Sequence, residues 1–151
     1  LIGWTAASPT PIADMSTLPP WSIFLILAVW QIPHFTAIAM MYREQYRGAG
    51  FKPLPDAMHS VEAGRMVLVW AALTVMVSAL PLVAMPQLVG VMYTIMAASM
   101  GAIFIYAAAM LAQQPTTDLA RKVFLWSIAY LPIVYLALVV DVLLPVRIEP
   151  V

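Results

Sequence analysis

Four long apolar stretches constrain this chain more than any other feature of its sequence. They cover about residues 21–41, 66–84, 88–111 and 123–144. A helix rises about 1.5 Å per residue, so each stretch is long enough to cross a hydrocarbon core roughly 30 Å thick. The strands of a membrane barrel would instead alternate apolar and polar residues, and these stretches do not. The sequence therefore predicts an all-α, polytopic transmembrane helix bundle with four full spans.

Composition supports a membrane protein and excludes several functions. Hydrophobic residues make up 64% of the chain and charged residues only 9%, whereas an ordinary soluble domain has about 25% charged residues. The net charge is zero, which argues against a nucleic-acid partner because binding a phosphate backbone needs a basic face. The sequence contains no cysteine, which excludes disulfides, thiolate catalysis and cysteine-ligated metal centres.

The loops between the spans predict an orientation. Basic residues gather on one side of the bundle, at Arg43, Arg47, Lys52, Arg65, Arg121 and Lys122. The loops of the opposite side have no Lys or Arg, and only Arg147 follows in the tail. Since basic loops favour the cytoplasmic side, we expect the loop over about residues 42–65 to be cytoplasmic, or to face the matrix in a mitochondrion.

Other loop residues predict helix ends. Pro81 and Pro86 are expected to bracket a short turn, and Glu62 is expected to help start the second span, where a carboxylate complements the helix dipole. Thr117 or Asp118 is expected to be the N-cap of the fourth span.

The chain opens on an apolar segment, residues 1–7, that is too short to cross a membrane. This segment resembles the end of an earlier span, and the chain does not begin with Met. We therefore expect residues 1–151 to be the C-terminal part of a single, larger transmembrane domain.

The first span carries polar side chains near the middle of the membrane. Gln31 and His34 are three residues apart and Trp30 and His34 are four apart, so they share one helix face. Polar groups at this depth either bond to a neighbouring helix or face an internal cavity, and the residues alone leave both interpretations open. A histidine-based metal centre is disfavoured, because the only other histidine, His59, lies in the loop.

The polar loop after the first span has the chemistry of a diphosphate site. Arg43, Arg47 and Lys52 are cationic donors suited to phosphate, and Glu44 offers a carboxylate to Mg²⁺, which binds proteins through few carboxylates plus substrate phosphates. Such a site at the membrane interface would suit a prenyl diphosphate. The alternative is that these charges only set the orientation of the bundle.

Several motifs together resemble a known family. They are Leu1-Ile2-Gly3-Trp4-Thr5-Ala6, Trp30-Gln31-Ile32-Pro33-His34-Phe35, Tyr42-Arg43-Glu44 with Tyr46, Gly50-Phe51-Lys52 with Leu54-Pro55, and the last span from Ala120 through Ser127 and Tyr130 to Asp141. They look like the protoheme IX farnesyltransferases (haem O synthases), a branch of the UbiA-type intramembrane prenyltransferases. The resemblance covers essentially the whole chain.

The resemblance implies a fold of nine transmembrane helices, of which these four spans would be helices six to nine. It also implies farnesyl transfer from farnesyl diphosphate to a vinyl group of protohaem IX, giving haem O, with Mg²⁺ as cofactor and haem as substrate. The implied setting is a bacterial cytoplasmic membrane or a mitochondrial inner membrane, with haem A synthase or terminal oxidase assembly as associated partners.

The resemblance further implies roles for individual residues. Residues 42–55 would be the second of two acidic motifs. Glu44, Arg43 and Gln45 would be catalytic, with Glu44 ligating the metal together with carboxylates missing from this chain. The substrate-binding residues would be Arg47, Lys52, His34, Gln31, Trp30, Tyr42 and Tyr46.

Two departures from the family pattern limit these expectations. Gln45 stands where members commonly have Asp, and an amide supplies no negative charge. The first acidic motif is absent, so we expect this chain alone to be inactive. The alternatives are a prenyltransferase acting on an aromatic or quinone precursor, and a non-catalytic membrane transporter or structural fragment.

Overall fold

The structure is a computed structural model that describes residues 1–7, 9–10, 13, 15–50 and 59–144. These residues form seven helices and no strand. The helices are α1 (Ile2–Ala7), α2 (Leu18–Met41), α3 (Arg43–Gly48), α4 (Ser60–Val77), α5 (Leu80–Ala84), α6 (Val91–Gln113) and α7 (Thr117–Leu143).

Four helical segments in the described part of the chain are long and apolar enough to cross a membrane. They are Leu18–Met41, Ser60–Ala84, Val91–Gln113 and Thr117–Leu143. Each coincides with one of the four apolar stretches, so the predicted all-α transmembrane bundle is confirmed.

The four long helices form a closed ring. Helix α2 packs against α4 and α7, and α6 packs against the same two helices. Buried side chains such as Phe104, Tyr130 and Val67 fill the space between them. Close approach of α4 to α6 depends on Gly64, where an added Cβ would lie 2.8 Å from the carbonyl oxygen of Leu111. Small residues serve this purpose in membrane bundles because they let helix backbones touch.

The two basic loops lie at the same end of the bundle. Ser60 at the start of α4 and Thr116 before α7 line one cavity together with Glu44 of α3. This arrangement agrees with the sequence analysis. Which side of the membrane this end faces stays a prediction.

The start of the second span differs from the prediction. Helix α4 begins at Ser60, well before residue 66. The backbone N–H of His59 donates to Oε2 of Glu62 at 3.2 Å, so Glu62 does help to start this helix, as expected. The second span is interrupted at Ser78 and Ala79, and the turn before α6 covers residues 86–88, so Pro86 lies at a turn as predicted. Pro81 lies inside α5, where a first-turn proline costs no hydrogen bond.

The predicted N-cap of the last span is wrong by one residue. Thr116 has an extended backbone (φ −101°, ψ 155°), and its hydroxyl accepts from the N–H of Leu119 at 3.3 Å. Thr117 and Asp118 already lie in the helix. Threonine caps from outside the first turn, and only Thr116 has that backbone.

The opposite end of the bundle is closed by a carboxylate. Asp141 of α7 is only 5% exposed. It accepts from the backbone N–H groups of Gly90 at 2.8 Å, Tyr93 at 2.8 Å and Met92 at 3.3 Å. Gly90 is the N-cap of α6 and has no side chain for this purpose. Asp141 therefore caps a neighbouring helix, and we call this end of the bundle the capped end.

Candidate active site at the polar end of the bundle

Helix α2 ends where the polar segment begins. Tyr42 leaves the helical region of backbone space (φ −107°, ψ 24°), although its N–H still donates to the carbonyl of Ile38. The chain then turns into the short helix α3, Arg43–Gly48. As a result, Arg43, Glu44 and Gln45 lie on a separate helix at the end of the bundle.

A cavity of about 360 Å³ lies at this end, and we call it the polar cavity. Its lining residues are Met40, Met41, Arg43, Glu44, Gln45, Ser60, Ala63, Pro115, Thr116 and Thr117. Ligand sites commonly have volumes of about 300 to 1,000 Å³. The structure thus brings together Arg43, Glu44 and Gln45, the three residues expected to be catalytic.

Arg43 is anchored within this cavity. Its Nη1 donates to the hydroxyl of Ser60 at 2.9 Å, and its side chain is half-buried. Ser60 is the first residue of α4, so this bond ties α3 to the next membrane helix. Glu44 and Gln45 are exposed, which leaves their oxygens accessible to a ligand. The role of Ser60 could not be predicted from the sequence, because its proximity to Arg43 depends on how the chain returns after α3.

Four other residues near this end were also expected to bind substrate. Tyr42 and Arg47 are exposed and Tyr46 is half-buried, and none of the three lines the polar cavity. Lys52 lies outside the described residues.

A second concave surface lies deeper in the membrane, between α2 and α7. This aromatic groove has a volume of about 460 Å³. Its lining residues are Trp30, His34, Ile38, Phe124, Ile128, Leu131 and Pro132. The Trp30 ring stacks on the His34 ring, with centroids 4.5 Å apart and planes 22° apart. Gln31 is exposed and lines neither the groove nor the polar cavity.

Ser127 of α7 holds both rings, although no sequence pattern predicts this role for it. Trp30 Nε1 donates to the Ser127 carbonyl at 2.8 Å. His34 Nδ1 and the Ser127 hydroxyl oxygen are 2.7 Å apart. The interpretation of His34 as a helix-to-helix contact is therefore correct for one of its two nitrogens. A buried serine in an apolar span is itself a signal, since polar groups at that depth need partners.

The groove and the polar cavity follow one another along α2 and α7. On α2, Ile38 lines the groove and Met41 lines the cavity, three residues or roughly 5 Å away along the axis. On α7, Phe124 lines the groove and Thr117 lines the cavity, seven residues away on the same helix face. A polar compartment thus adjoins an apolar one.

Metal binding is the remaining chemical question at this site. Within the described ranges, no group of three or more His, Asp or Glu side chains is arranged to hold a metal ion. The lining of the polar cavity contains one carboxylate, that of Glu44. A single carboxylate suits Mg²⁺ only where substrate phosphates or further acidic residues complete its coordination.

Comparison with known proteins places these features in a family. The model of the UbiA prenyltransferase family matches residues 1–129. No solved structure matches the chain.

The chain is also similar to proteins named protoheme IX farnesyltransferase. It is 38% identical over 146 residues to the one from Opitutus terrae, covering 93% of the chain and 46% of that protein. It is 33% identical over 141 residues to the one from Paraburkholderia xenovorans, covering 93% of the chain and 44% of that protein.

The chain therefore spans less than half the length of these relatives. The family match extends over most of the chain and includes both α2 with the aromatic groove and α3 with the polar cavity. The four helices of membrane-spanning length agree with a membrane-protein family. On these grounds the chain belongs to the UbiA prenyltransferase family.

Proposed function

We propose that this chain takes part in transferring a farnesyl group from farnesyl diphosphate to a vinyl group of protohaem IX, which gives haem O. The observation that carries the proposal is the adjacency of the polar cavity and the aromatic groove along α2. A prenyl diphosphate has an anionic head and an apolar tail, and its reacting carbon lies between them. The polar compartment suits the diphosphate head, and the adjoining apolar compartment suits an apolar acceptor that must meet the reacting carbon at the boundary between the two.

The diphosphate is proposed to bind in the polar cavity. The guanidinium of Arg43 has five N–H donors in a planar fork, so it can bind phosphate oxygens in addition to its bond with Ser60. Arginine matches phosphate geometry through paired hydrogen bonds. Arg47 and Lys52 are proposed to add positive charge near the same end.

Glu44 is proposed to be the ligand that this chain contributes to Mg²⁺. When bound, the metal neutralises diphosphate charge and so favours departure of the leaving group. The single carboxylate of the cavity fits this partial role. The remaining ligands are proposed to be phosphate oxygens and carboxylates from outside this chain, so the chain by itself is proposed to be inactive.

The reaction begins when the allylic C–O bond breaks and diphosphate leaves with the electron pair. Arg43 stabilises the developing negative charge, which is an electrostatic form of catalysis. The terminal carbon of the haem vinyl group then forms the new C–C bond, leaving a cation on the adjacent carbon. Water adds to that carbon and loses a proton. Apolar and aromatic side chains near the groove keep other water away from the allylic cation and can stabilise it.

A chimera tests this proposal. The segment of the Opitutus terrae relative that matches this chain is replaced by the chain itself, and haem O is measured with farnesyl diphosphate, protohaem and Mg²⁺. We expect the chimera to form haem O and Glu44→Gln to lower the rate by about 100-fold, a typical loss for one electrostatic contact. The chain alone is expected to form none.

Glu62→Gln is the matched control, because Glu62 is an exposed carboxylate that serves the start of α4. Its rate is expected to stay close to that of the unsubstituted chimera. A wild-type rate in Glu44→Gln would refute the role of Glu44. Farnesylation of an aromatic or quinone precursor instead of haem, by a folded chimera, would favour that alternative acceptor.

A further inference from the structure

The hydrogen bonds of Ser127 determine which nitrogen of His34 carries the proton. The Ser127 hydroxyl oxygen lies 2.7 Å from the carbonyl of Phe124 and 2.7 Å from His34 Nδ1. A hydroxyl has one proton, and a carbonyl can only accept. Both bonds are made only if Ser127 donates to Phe124 and His34 Nδ1 donates to Ser127.

This assignment leaves a lone pair on the other ring nitrogen of His34. A neutral imidazole with a proton on Nδ1 has an acceptor at Nε2. Every buried side-chain nitrogen or oxygen in the described part of the chain has a hydrogen-bond partner. Nε2 has none among these residues, so it is not a buried atom, and His34 lines the aromatic groove. This nitrogen therefore keeps some exposure, and it belongs to a residue that lines the groove.

The His34 ring is held in this orientation from two sides. Trp30 stacks on it and is itself fixed to the Ser127 carbonyl at 2.8 Å. The Phe124 ring lies on α7 with its centroid 5.2 Å from that of His34. The hydrogen bond between His34 Nδ1 and Ser127 is enough to join α2 to α7. An accessible nitrogen that is fixed within aromatic walls is more than helix packing requires.

We infer that His34 Nε2 ligates the iron of the porphyrin acceptor, and that Ser127 is the positioning residue that fixes the His34 tautomer. This inference rests on the proposed function and assigns the acceptor to the aromatic groove. Neutral imidazole is a common ligand of haem iron, and a hydrogen bond from its second nitrogen sets ring orientation and basicity. The apolar side chains that line the groove suit the apolar body of a porphyrin. A prenyl chain would have no use for a lone pair.

Titration of the chain in lipid nanodiscs with ferric protohaem tests the inference, and metal-free protoporphyrin IX is the matched probe. Iron protohaem is expected to give the shifted Soret band and EPR spectrum of nitrogen ligation. His34→Ala is expected to weaken its binding by about 100-fold and Ser127→Ala by about 10-fold, the range typical of metal ligands and their hydrogen-bond partners. Binding of metal-free protoporphyrin is expected to stay unchanged, and added imidazole is expected to restore the ligation spectrum in His34→Ala.

Two further variants control for folding and for chance ligation. Ser127→Thr keeps the hydroxyl and is expected to restore most of the iron affinity, with helix content checked by circular dichroism. His59→Ala removes the only other histidine of the chain and is expected to change nothing.

Three results would overturn the inference. They are equal losses for the iron and metal-free porphyrins in His34→Ala, an unchanged iron spectrum in that variant, and competitive displacement of protohaem by a farnesyl diphosphate analogue. Wild-type iron affinity in Ser127→Ala would refute the positioning role. Iron ligation by His34 in a chimera that makes no haem O would instead refute the proposed function and leave the ligation standing.

Discussion

The two ends of the bundle use polar residues in opposite ways. At the capped end, one carboxylate accepts three backbone N–H groups of a neighbouring helix, and Asp141 is almost completely buried in doing so. At the polar end, Glu44 and Gln45 are exposed and line a cavity. Both ends carry acidic residues close to a membrane boundary, yet the Asp141 carboxylate is buried against three backbone donors, whereas the Glu44 carboxylate is exposed at a cavity.

The contrast separates residues that stabilise the fold from residues that are accessible to a ligand. A carboxylate with three internal donors contributes to folding and has little capacity left for binding. An exposed carboxylate beside an arginine contributes little to folding and can meet a substrate. Substitutions at the two ends should therefore divide into losses of stability and losses of activity.

Asp141→Ala should have the largest effect on stability. It leaves the first N–H groups of α6 without their acceptor and opens a buried space, at a cost of about 3 kcal/mol. The free energy of unfolding in detergent measures this loss. Asp118→Ala is the control, because Asp118 is exposed in the first turn of α7 and should cost about 0.5 kcal/mol. Equal losses for the two variants would erase the contrast between the ends.

Gly90→Ala should have the next largest effect. An added Cβ would lie 2.8 Å from Oδ1 and 2.9 Å from Cγ of Asp141, a clash worth about 2 kcal/mol. Gly90 has an ordinary extended backbone, so the cost comes from the carboxylate and not from conformational strain.

A double-mutant cycle isolates this clash. In an Asp141→Ala background the cost of Gly90→Ala should nearly vanish. Gly48→Ala is the control, because a Cβ there meets nothing within 4 Å. A cost of Gly90→Ala that persists in the double mutant would show that the carboxylate is not its cause.

The polar end should show the smallest effects on stability. Arg43→Ala removes the bond to Ser60 and should cost about 1 kcal/mol, whereas Glu44→Ala should stay within about 0.5 kcal/mol. In the chimera, both should nevertheless lose most haem O formation. A Glu44→Ala variant that unfolds as readily as Asp141→Ala would make Glu44 a structural residue.

The spans could be predicted because length and hydropathy are local properties. The helix ends could be predicted only where the cap is also local, as with Glu62 and His59. The start of α6 depends on Asp141, which is 51 residues away from Gly90, and no local pattern indicates that contact. The N-cap at Thr116 was missed because Thr116, Thr117 and Asp118 all have side chains that can cap a helix, and only the backbone conformation selects one of them.

The candidate site likewise combines residues that could be placed together from the sequence with residues that could not. Arg43, Glu44 and Gln45 are consecutive in sequence, so a charge pattern was enough to place them together. Ser60 and Ser127 reach the site only through packing of α4 and α7. Gln31 shows that a residue can share a helix face with a site residue and still lie outside the site. It is three residues from His34, yet it does not line the groove, because a groove between two helices covers only part of a helix face.

The cap on α6 also bears on how the protein is made. Gly90 and Tyr93 emerge from the ribosome well before Asp141, since synthesis runs from the N-terminus. Until the final span has been inserted, the leading turn of α6 lacks its acceptor within the lipid. The spans that precede the last helix consequently enter the membrane before this contact exists, and insertion of the last helix completes it.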